Sequence, residues 1–480
     1  MAILDMLTLP GLEEMCRARP GETIVLSGIS GTLAAVAACL AAGRGRRVLL
    51  VADNDLKANR AAEDIRQLRP EGCAFLPGGE IDLTRAAGSL ESSWRRLEAL
   101  AAVQNEKTVI LCTSAEAMAQ RMGRPEPFRE AIVRLERGGV YAPASLCQRL
   151  IRMGYERVAM VEGKGQFAQR GAILDVYPPA LPQAVRIEFF DDEIDSLRSF
   201  DCISQRSLED LNEVTLTPAC EALLPETEYA SAAKRMREAL AGMDETPEES
   251  RLFDDLPPMP EDDDDLAETF DKTVGPKVRE RVYREAEADA AGRRLERLRA
   301  DADSVEAGVP FRRMRAWIPV LTEHTAAVAD WFRPDLVLLM EPDRQRQRIN
   351  ERLLGFAEDL NNAIARGEAV TEQEKLLRSW EEIRETLKSY PLGLLTEMLL
   401  GLGGLQPTAS FAADAVSLTG YNGQIRNLKN DLTAWREKGY RMLLLSGGEA
   451  RGQRLADSLA EMGEKARFSK EPEAPGREKS

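Results

Sequence analysis

The stretch Thr23–Leu68, TIVLSGISGTLAAVAACLAAGRGRRVLLVADNDLKANRAAEDIRQL, sets the fold class. TIVLSG and RRVLLVAD are short runs of Val, Ile and Leu without polar alternation, the pattern of strands buried on both faces of a parallel sheet. Each leads into a helical segment: TLAAVAACLAAG, closed by Gly43, and DLKANRAAEDIRQL, opened by an aspartate cap at Asp55. KTVILCTS supplies a third strand, so residues 21–135 read as α/β. Between the first strand and its helix, SGISGTLAA occupies the place of a phosphate loop. A working loop needs Gly-Lys-Ser/Thr where this chain, aligned from Gly28 through Gly31, has Leu33, Ala34 and Ala35. The lysine that neutralises phosphate and the hydroxyl that ligates magnesium are both missing. In LLMEPDR, where an acidic pair would hold the metal, Met340 takes the first place and Glu341 the second. The expectation is a degenerate nucleotide fold without ATP hydrolysis and without a cofactor.

At 480 residues the chain exceeds one ordinary hydrophobic core and calls for several domains. Lys and Arg number 64 against 80 Asp and Glu, a net charge of −16, so a surface that grips phosphate throughout is excluded and any DNA contact is weak, local or indirect. Leu33–Ala42 is the longest apolar run, far short of a bilayer span. The opening MAILDMLTLPGLEEM has no basic region followed by an apolar segment and cleavage site. The seven cysteines (Cys16, Cys39, Cys73, Cys112, Cys147, Cys202 and Cys220) are odd in number and never spaced C-x-x-C, which fits a reducing compartment, here the cytoplasm. His324, in TEHTAAVADWF, is the single histidine and reads as a surface or helix-packing residue.

From 141 to 210 the pattern changes. A short helix, SLCQRLIRMG, precedes alternating strands with turn signals at EGKG, PPALP and FDDE. On 185–190, alternation puts Val185, Ile187 and Phe189 on a core face and Arg186, Glu188 and Phe190 on the other. Arg170 reaches the same patch if its strand pairs with this one. An aromatic beside guanidinium groups is the residue choice of interfaces. Two readings stand at this point: a docking face for another protein, or an Arg186 paired in-sheet with Glu188 or Asp191 while Phe190 packs under a loop. The acids Asp191, Asp192, Glu193 and Asp195 at the turn read as water-facing rather than metal-binding.

Beyond Glu221 the chain is helical and charged. DETPEES, LPPMP and EDDDDLAE suggest an acidic connector. VRERVYREAEADAAGRRLERLRADADS reads as a long helix, EKLLRSWEEIRETLKSY as an amphipathic one, Thr408 to Phe468 as a last α/β segment, and SKEPEAPGREKS as a disordered tail.

GYERVAMVEGKGQFAQRGAILDVYPP with VRIEFFDDEIDSLRSFDCISQRS resembles the second domain of the transcription-repair coupling factors (Mfd), which is shared with the excision-repair protein UvrB. LPGGEIDLTRAAGSLESSWRRLEALAAV resembles the first domain, LVLLMEPDR and RSWEEIRE its returning half, and GYNGQIRNLKNDLTAWREKGYRMLLLSGGEARGQRLADSLAEMG the third. UvrB has an intact phosphate loop and a tyrosine-rich hairpin. Here only IDLTRAAGSLE lies between LPGGE and SSWRRLEAL, with no aromatic to stack on bases, which favours Mfd over the alternative of a UvrB-like ATP-dependent repair helicase.

The resemblance implies a degenerate P-loop/RecA-like α/β domain with an inserted small α+β domain and a further C-terminal α/β domain. The divisions are 1–137, 138–220 (the UvrA-binding unit), 221–400, 401–470 and a tail at 471–480. It implies that Arg170, Arg186 and Phe190 contact UvrA, in transcription-coupled nucleotide excision repair. RNA polymerase contact and the ATP-driven motor belong to regions of the family absent from this sequence, so the chain is expected to be a non-catalytic module.

Overall fold

Two chain segments build one parallel sheet. The strands are β1 (Thr23–Ser27), β2 (Val48–Ala52), β3 (Cys73–Leu76) and β4 (Ile110–Ser114) from the first segment, and β13 (Leu336–Met340), β14 (Leu392–Thr396) and β15 (Ala409–Ala412) from the second. Their order is β15-β1-β14-β13-β2-β4-β3, every pairing parallel. The computed structural model describes residues 7–81, 83, 90–244, 294–311, 313–399, 401–413, 421, 424–440, 442, 444 and 448–469. Unbroken apolar runs are required because helices cover both faces. Val25, Leu49, Leu111, Val337 and Leu394 enter one layer, and Ile24, Leu50, Ile110, Leu338 and Leu395 the other.

Between β4 and β13 the chain leaves this frame to form a second unit. β5 (Val133–Glu136) pairs with β12 (Glu213–Leu216). β6 (Glu156–Arg157), β7 (Gln166–Arg170), β8 (Ile173–Val176), β9 (Ala184–Phe190), β10 (Glu193–Phe200) and β11 (Ser207–Asp210) form a six-stranded sheet in the order β11-β10-β9-β8-β7-β6. Its inner face packs on the Pro143–Arg152 helix through Leu146, Cys147 and Leu150, with Phe167, Leu174, Ile187 and Phe189 opposite. The architecture is therefore α/β with an additional sheet.

Several local expectations need correcting. The Asp55–Leu68 helix is capped by Asn54, whose Oδ1 accepts from the Lys57 amide at 3.0 Å; Asp55 is its first helical residue and accepts the Gly78 amide instead. His324 is a surface residue, as the first of its two readings had it, and lies in the loop after the Ile318–Leu321 helix with its amide donating to the Thr322 hydroxyl. EKLLRSWEEIRETLKSY is broken: a 3₁₀ segment ends at Leu376, Arg378 donates its amide to Ala119, and the helix begins at Trp380 behind a Ser379–Glu382 capping box. Ala409–Ala412 completes the large sheet, and the helices Ile425–Glu437 and Glu449–Glu461 pack together through Leu428, Leu432 and Leu459. The acidic connector, the first half of the helix expected from Val278 and the tail from 471 lie outside the described residues.

The second unit is fastened to the frame at the Leu90–Val103 helix. Arg96, 1% exposed, forks onto Glu221 at 2.7 and 2.9 Å and also donates to the Pro77 and Gly78 carbonyls. Two residues before Arg96 on that helix, Trp94 lies against Gly165 so closely that a Cβ there would fall 2.6 Å from the ring; with φ +78°, only glycine fits without strain. Burial pushes the Glu221 carboxyl up, but Arg96 and Arg315 outweigh it and hold it below its ordinary value. Because the folded value is depressed, the pair's stabilisation is present above the ordinary 4.5 and is lost as pH falls through the folded value. Glu221→Ala strands a buried guanidinium and is expected to cost about 3–5 kcal/mol in urea denaturation at neutral pH. The penalty should shrink as the medium is acidified below 4.5; a pH-independent difference would contradict this account.

Candidate docking face

The outer face of the six-stranded sheet follows from strand alternation. β8 sends Leu174 and Val176 inward, so Ile173 and Asp175 face out. β9 sends Val185, Ile187 and Phe189 inward, so Ala184, Arg186, Glu188 and Phe190 face out. β7 adds Ala168 and Arg170, and β10 adds Ser196, Arg198 and Phe200. At one end Val161, Ala168, Ala184 and Phe200 close a small apolar cluster.

Beside that cluster stands the charged centre. Asp175 has no exposed side-chain surface and accepts from two arginines. Arg186 Nε and Nη2 grip its two oxygens at 2.7 and 2.9 Å, and Arg170 Nη2 reaches Oδ2 at 2.7 Å. The Arg186 guanidinium also stacks on Phe200, 4.7 Å from the ring centroid. Gln205 closes the far side: its carbonyl and side-chain oxygen lie 3.4 and 3.5 Å from Arg186, while its Nε2 donates to Val161 and Cys202. The hydrogen bonds that Arg186 donates to Asp175 raise its pKa above the ordinary arginine value. Two cations over one buried carboxylate leave a surplus positive charge on this part of the face.

The structure brings Arg170, Arg186 and Phe190 to one face but gives them unequal access. Phe190 is 75% exposed, the Arg170 side chain 49% and the Arg186 side chain 16%. Arg170 closes β7, and β8 separates it from β9, so its strand does not pair with that of Arg186. The two guanidiniums meet only through Asp175. Glu188 bonds Ser196 and lies 4.0 Å from Arg198, and Phe190 projects beyond any covering loop, so neither of the partners weighed for Arg186 holds it. Asp175 is the residue that sequence reasoning missed. Its signal was present in ILDV, where a lone acid alternates with inward aliphatics and faces the same side as Arg186.

At the phosphate-loop position the backbone is already spoken for. The Gly28 and Ile29 amides donate to the Glu397 and Thr396 carbonyls at 3.2 and 2.9 Å. A Cβ on Gly28 (φ +76°) would fall 2.4 Å from the Ala413 oxygen, and Gly31 is also left-handed at φ +54°. Leu33, Ala34 and Ala35 open the following helix, the two alanines buried in its core layer. Across β14, Met340 ends β13 and Glu341 turns left-handed at φ +51°, its Oε1 accepting the Glu397 amide at 2.6 Å.

Residues 133–221, which contain this face, match the family described as UvrB interaction domain. That match defines the class of the inserted unit. Beyond it, the chain is 24% identical over 441 residues to the transcription-repair-coupling factor of Bacillus subtilis, covering 91% of this chain and 34% of that protein. It is 35% identical over 217 residues to the transcription-repair-coupling factor of Myxococcus xanthus, covering 44% of this chain and 18% of the relative. UvrABC system protein B of Thermus thermophilus is 28% identical over 226 residues, 43% of this chain and 34% of that protein. The chain thus spans about a third of the length of the Bacillus relative that it matches over most of its own. These findings support the resemblance to the N-terminal, UvrB-like region of the transcription-repair-coupling factors.

The centre makes asymmetric demands on its members. Asp175→Ala is expected to cost about 3 kcal/mol, because it leaves the enclosed Arg186 without its carboxylate. Arg170→Ala, at a half-exposed site with Arg186 still in place, should cost no more than about 1 kcal/mol. Thermal denaturation of the two variants side by side checks the order; equal losses would show that Arg186 does not depend on Asp175.

Proposed function

We propose that this chain is a non-catalytic module that docks UvrA in transcription-coupled nucleotide excision repair, through the outer face of its six-stranded sheet. What carries the reading is the coincidence of two things: the stretch matching the UvrB interaction domain, and within it an exposed phenylalanine on the same sheet face as a guanidinium held in place by a buried carboxylate. In this reading Phe190 supplies apolar burial, and Arg170 turns its free N–H groups toward carboxylates of UvrA. Arg186 adds the exposed edge of its guanidinium and fixes the position of Asp175. The α/β frame acts as a mount and hydrolyses no ATP, having no lysine for phosphate and a Glu341 already bonded to backbone. Contact with RNA polymerase belongs to regions outside this chain, and the working compartment is the cytoplasm. No helix among the described residues is long and apolar enough to cross a membrane.

Arg186→Ala is a poor probe of docking, since it also removes the main partner of a buried carboxylate. Phe190→Ala and Arg170→Ala are the clean ones. Each is expected to weaken UvrA binding by about 1–2 kcal/mol in calorimetric titration, with circular dichroism unchanged. Affinity unaltered in both would refute the reading. Titration of the chain with Mg-ATP should give no micromolar binding, and finding it would favour a UvrB-like enzyme instead.

A further inference from the structure

Beyond Phe190 the same face continues onto a second, oppositely charged half. Phe190 is paired across the β9–β10 hairpin with Glu193, and Glu193 is in turn bridged on its other side by Val140. Residues directly opposed in antiparallel pairs share a face, so Phe190, Glu193 and Val140 form one row across the hairpin tip. The 138–141 segment is laid firmly along that tip. Gly138 N donates to Ile194 O at 2.8 Å, Ile194 N to Gly139 O at 2.9 Å, and Tyr141 N to Asp192 O at 2.7 Å. Val140 is nevertheless 74% exposed, like Phe190 at 75%. Around the two apolar side chains stand Asp191, Asp192, Glu193 and Asp195, all exposed. Nearby, Arg137 donates its Nε to the Asp195 main-chain carbonyl at 2.9 Å.

Resting on the docking reading above, we infer that the tip is the second half of the UvrA-binding surface, and that it receives a basic surface of UvrA around an apolar contact made by Val140 together with Phe190. The face is then polarised, with Arg170 and Arg186 at one end, the carboxylates at the other and Phe190 between them. Such an arrangement admits a partner in one orientation, because turning it round would set like charges against each other.

The test is titration of the chain with purified UvrA at several salt concentrations, comparing the unaltered protein with Val140→Ser, the double variant Asp191→Asn/Asp192→Asn, and Arg170→Ala. Asparagine is chosen because Asp191 sits at φ +52°, which asparagine tolerates. Val140→Ser is expected to weaken binding about 5-fold. The double variant should weaken it about 10-fold, with a shallower dependence on salt. If both tip variants bind like the unaltered chain while Arg170→Ala is weakened, the tip is not part of the surface and the docking reading survives. Tighter binding by the neutralised variant would mean an acidic partner surface and would equally overturn the inference. An unaltered chain that does not bind UvrA would overturn both readings.

Discussion

A carboxylate with no solvent of its own governs the outer face of the inserted unit. Asp175 cannot remain charged in that position unless cations come to it, since an isolated ion removed from water is far too costly to keep. Arg186 comes from the neighbouring strand on one side and Arg170 from the strand on the other, so a single residue of β8 ties together three strands. Each arginine is thereby taken out of the loose, many-rotamer state usual for surface guanidinium groups. The consequence for recognition is entropic. In the proposed docking, a side chain already held in place loses less freedom when a partner arrives, so more of its interaction energy appears as affinity. Phe200 reinforces this from beneath by stacking on Arg186, and Gln205 closes the remaining side. The outer face of an antiparallel sheet usually carries polar side chains that face water; here its middle is tied by hydrogen bonds and stacking.

Rigidity within the unit would count for little if the unit swung freely on its frame. Two contacts on one helix oppose that. Arg96 joins the Leu90–Val103 helix to Glu221, where the chain returns from the insertion, and Trp94 of the same helix presses on the Gly165 turn that leads into β7. One contact is an ion pair buried too deeply for salt to screen, the other a ring against a position with no side chain. Together they hold both the end of the inserted unit and the beginning of the strand that carries Arg170. The charged centre, the sheet and the mount thus form one mechanical chain from Arg96 to Arg170.

The frame was legible where apolar runs were long and punctuated. β1, β2, β4 and β13 announce themselves as blocks of aliphatic residues, and the inward and outward sides of β9 follow from simple alternation. β3 and β14 escaped, for different reasons. CAFL is only four residues long, squeezed between the turn signals RPEG and PGG. PLGLLT carries a glycine that reads as a break, whereas in the fold Leu338 and Met15 occupy the space a Cβ at Gly393 would need. The break inside EKLLRSWEEIRETLKSY had a signal in the S-x-x-E capping box of Ser379 and Glu382, and it is reinforced from outside by the amide of Arg378 reaching the Ala119 carbonyl. Arg170, Arg186 and Phe190 were singled out through the family resemblance together with strand spacing. Asp175 was not, although ILDV carried its signal, because its importance shows only once β8 is placed between β7 and β9.

The glycines before the Leu33–Gly43 helix carry a related lesson about motifs. Gly28 looks like the first residue of a phosphate loop, yet its need for glycine is fully met inside the protein: the Ala413 carbonyl occupies the place of a side chain, and the Gly28 amide is bonded to Glu397. A fold that sets β1 between β14 and β15 crowds this turn whether or not a nucleotide is ever bound. The left-handed turn is therefore a requirement of the strand order, and the chemistry of a nucleotide site resides in the lysine, hydroxyl and acidic pair that ride on it. In this chain the residues that align with those positions are Leu33, Ala34 and Ala35, and the two alanines pack in the buried layer beneath the sheet. A lysine introduced at Ala34 would have to leave that layer before it could reach a phosphate, so restoring the motif letter by letter would cost stability before it returned any chemistry.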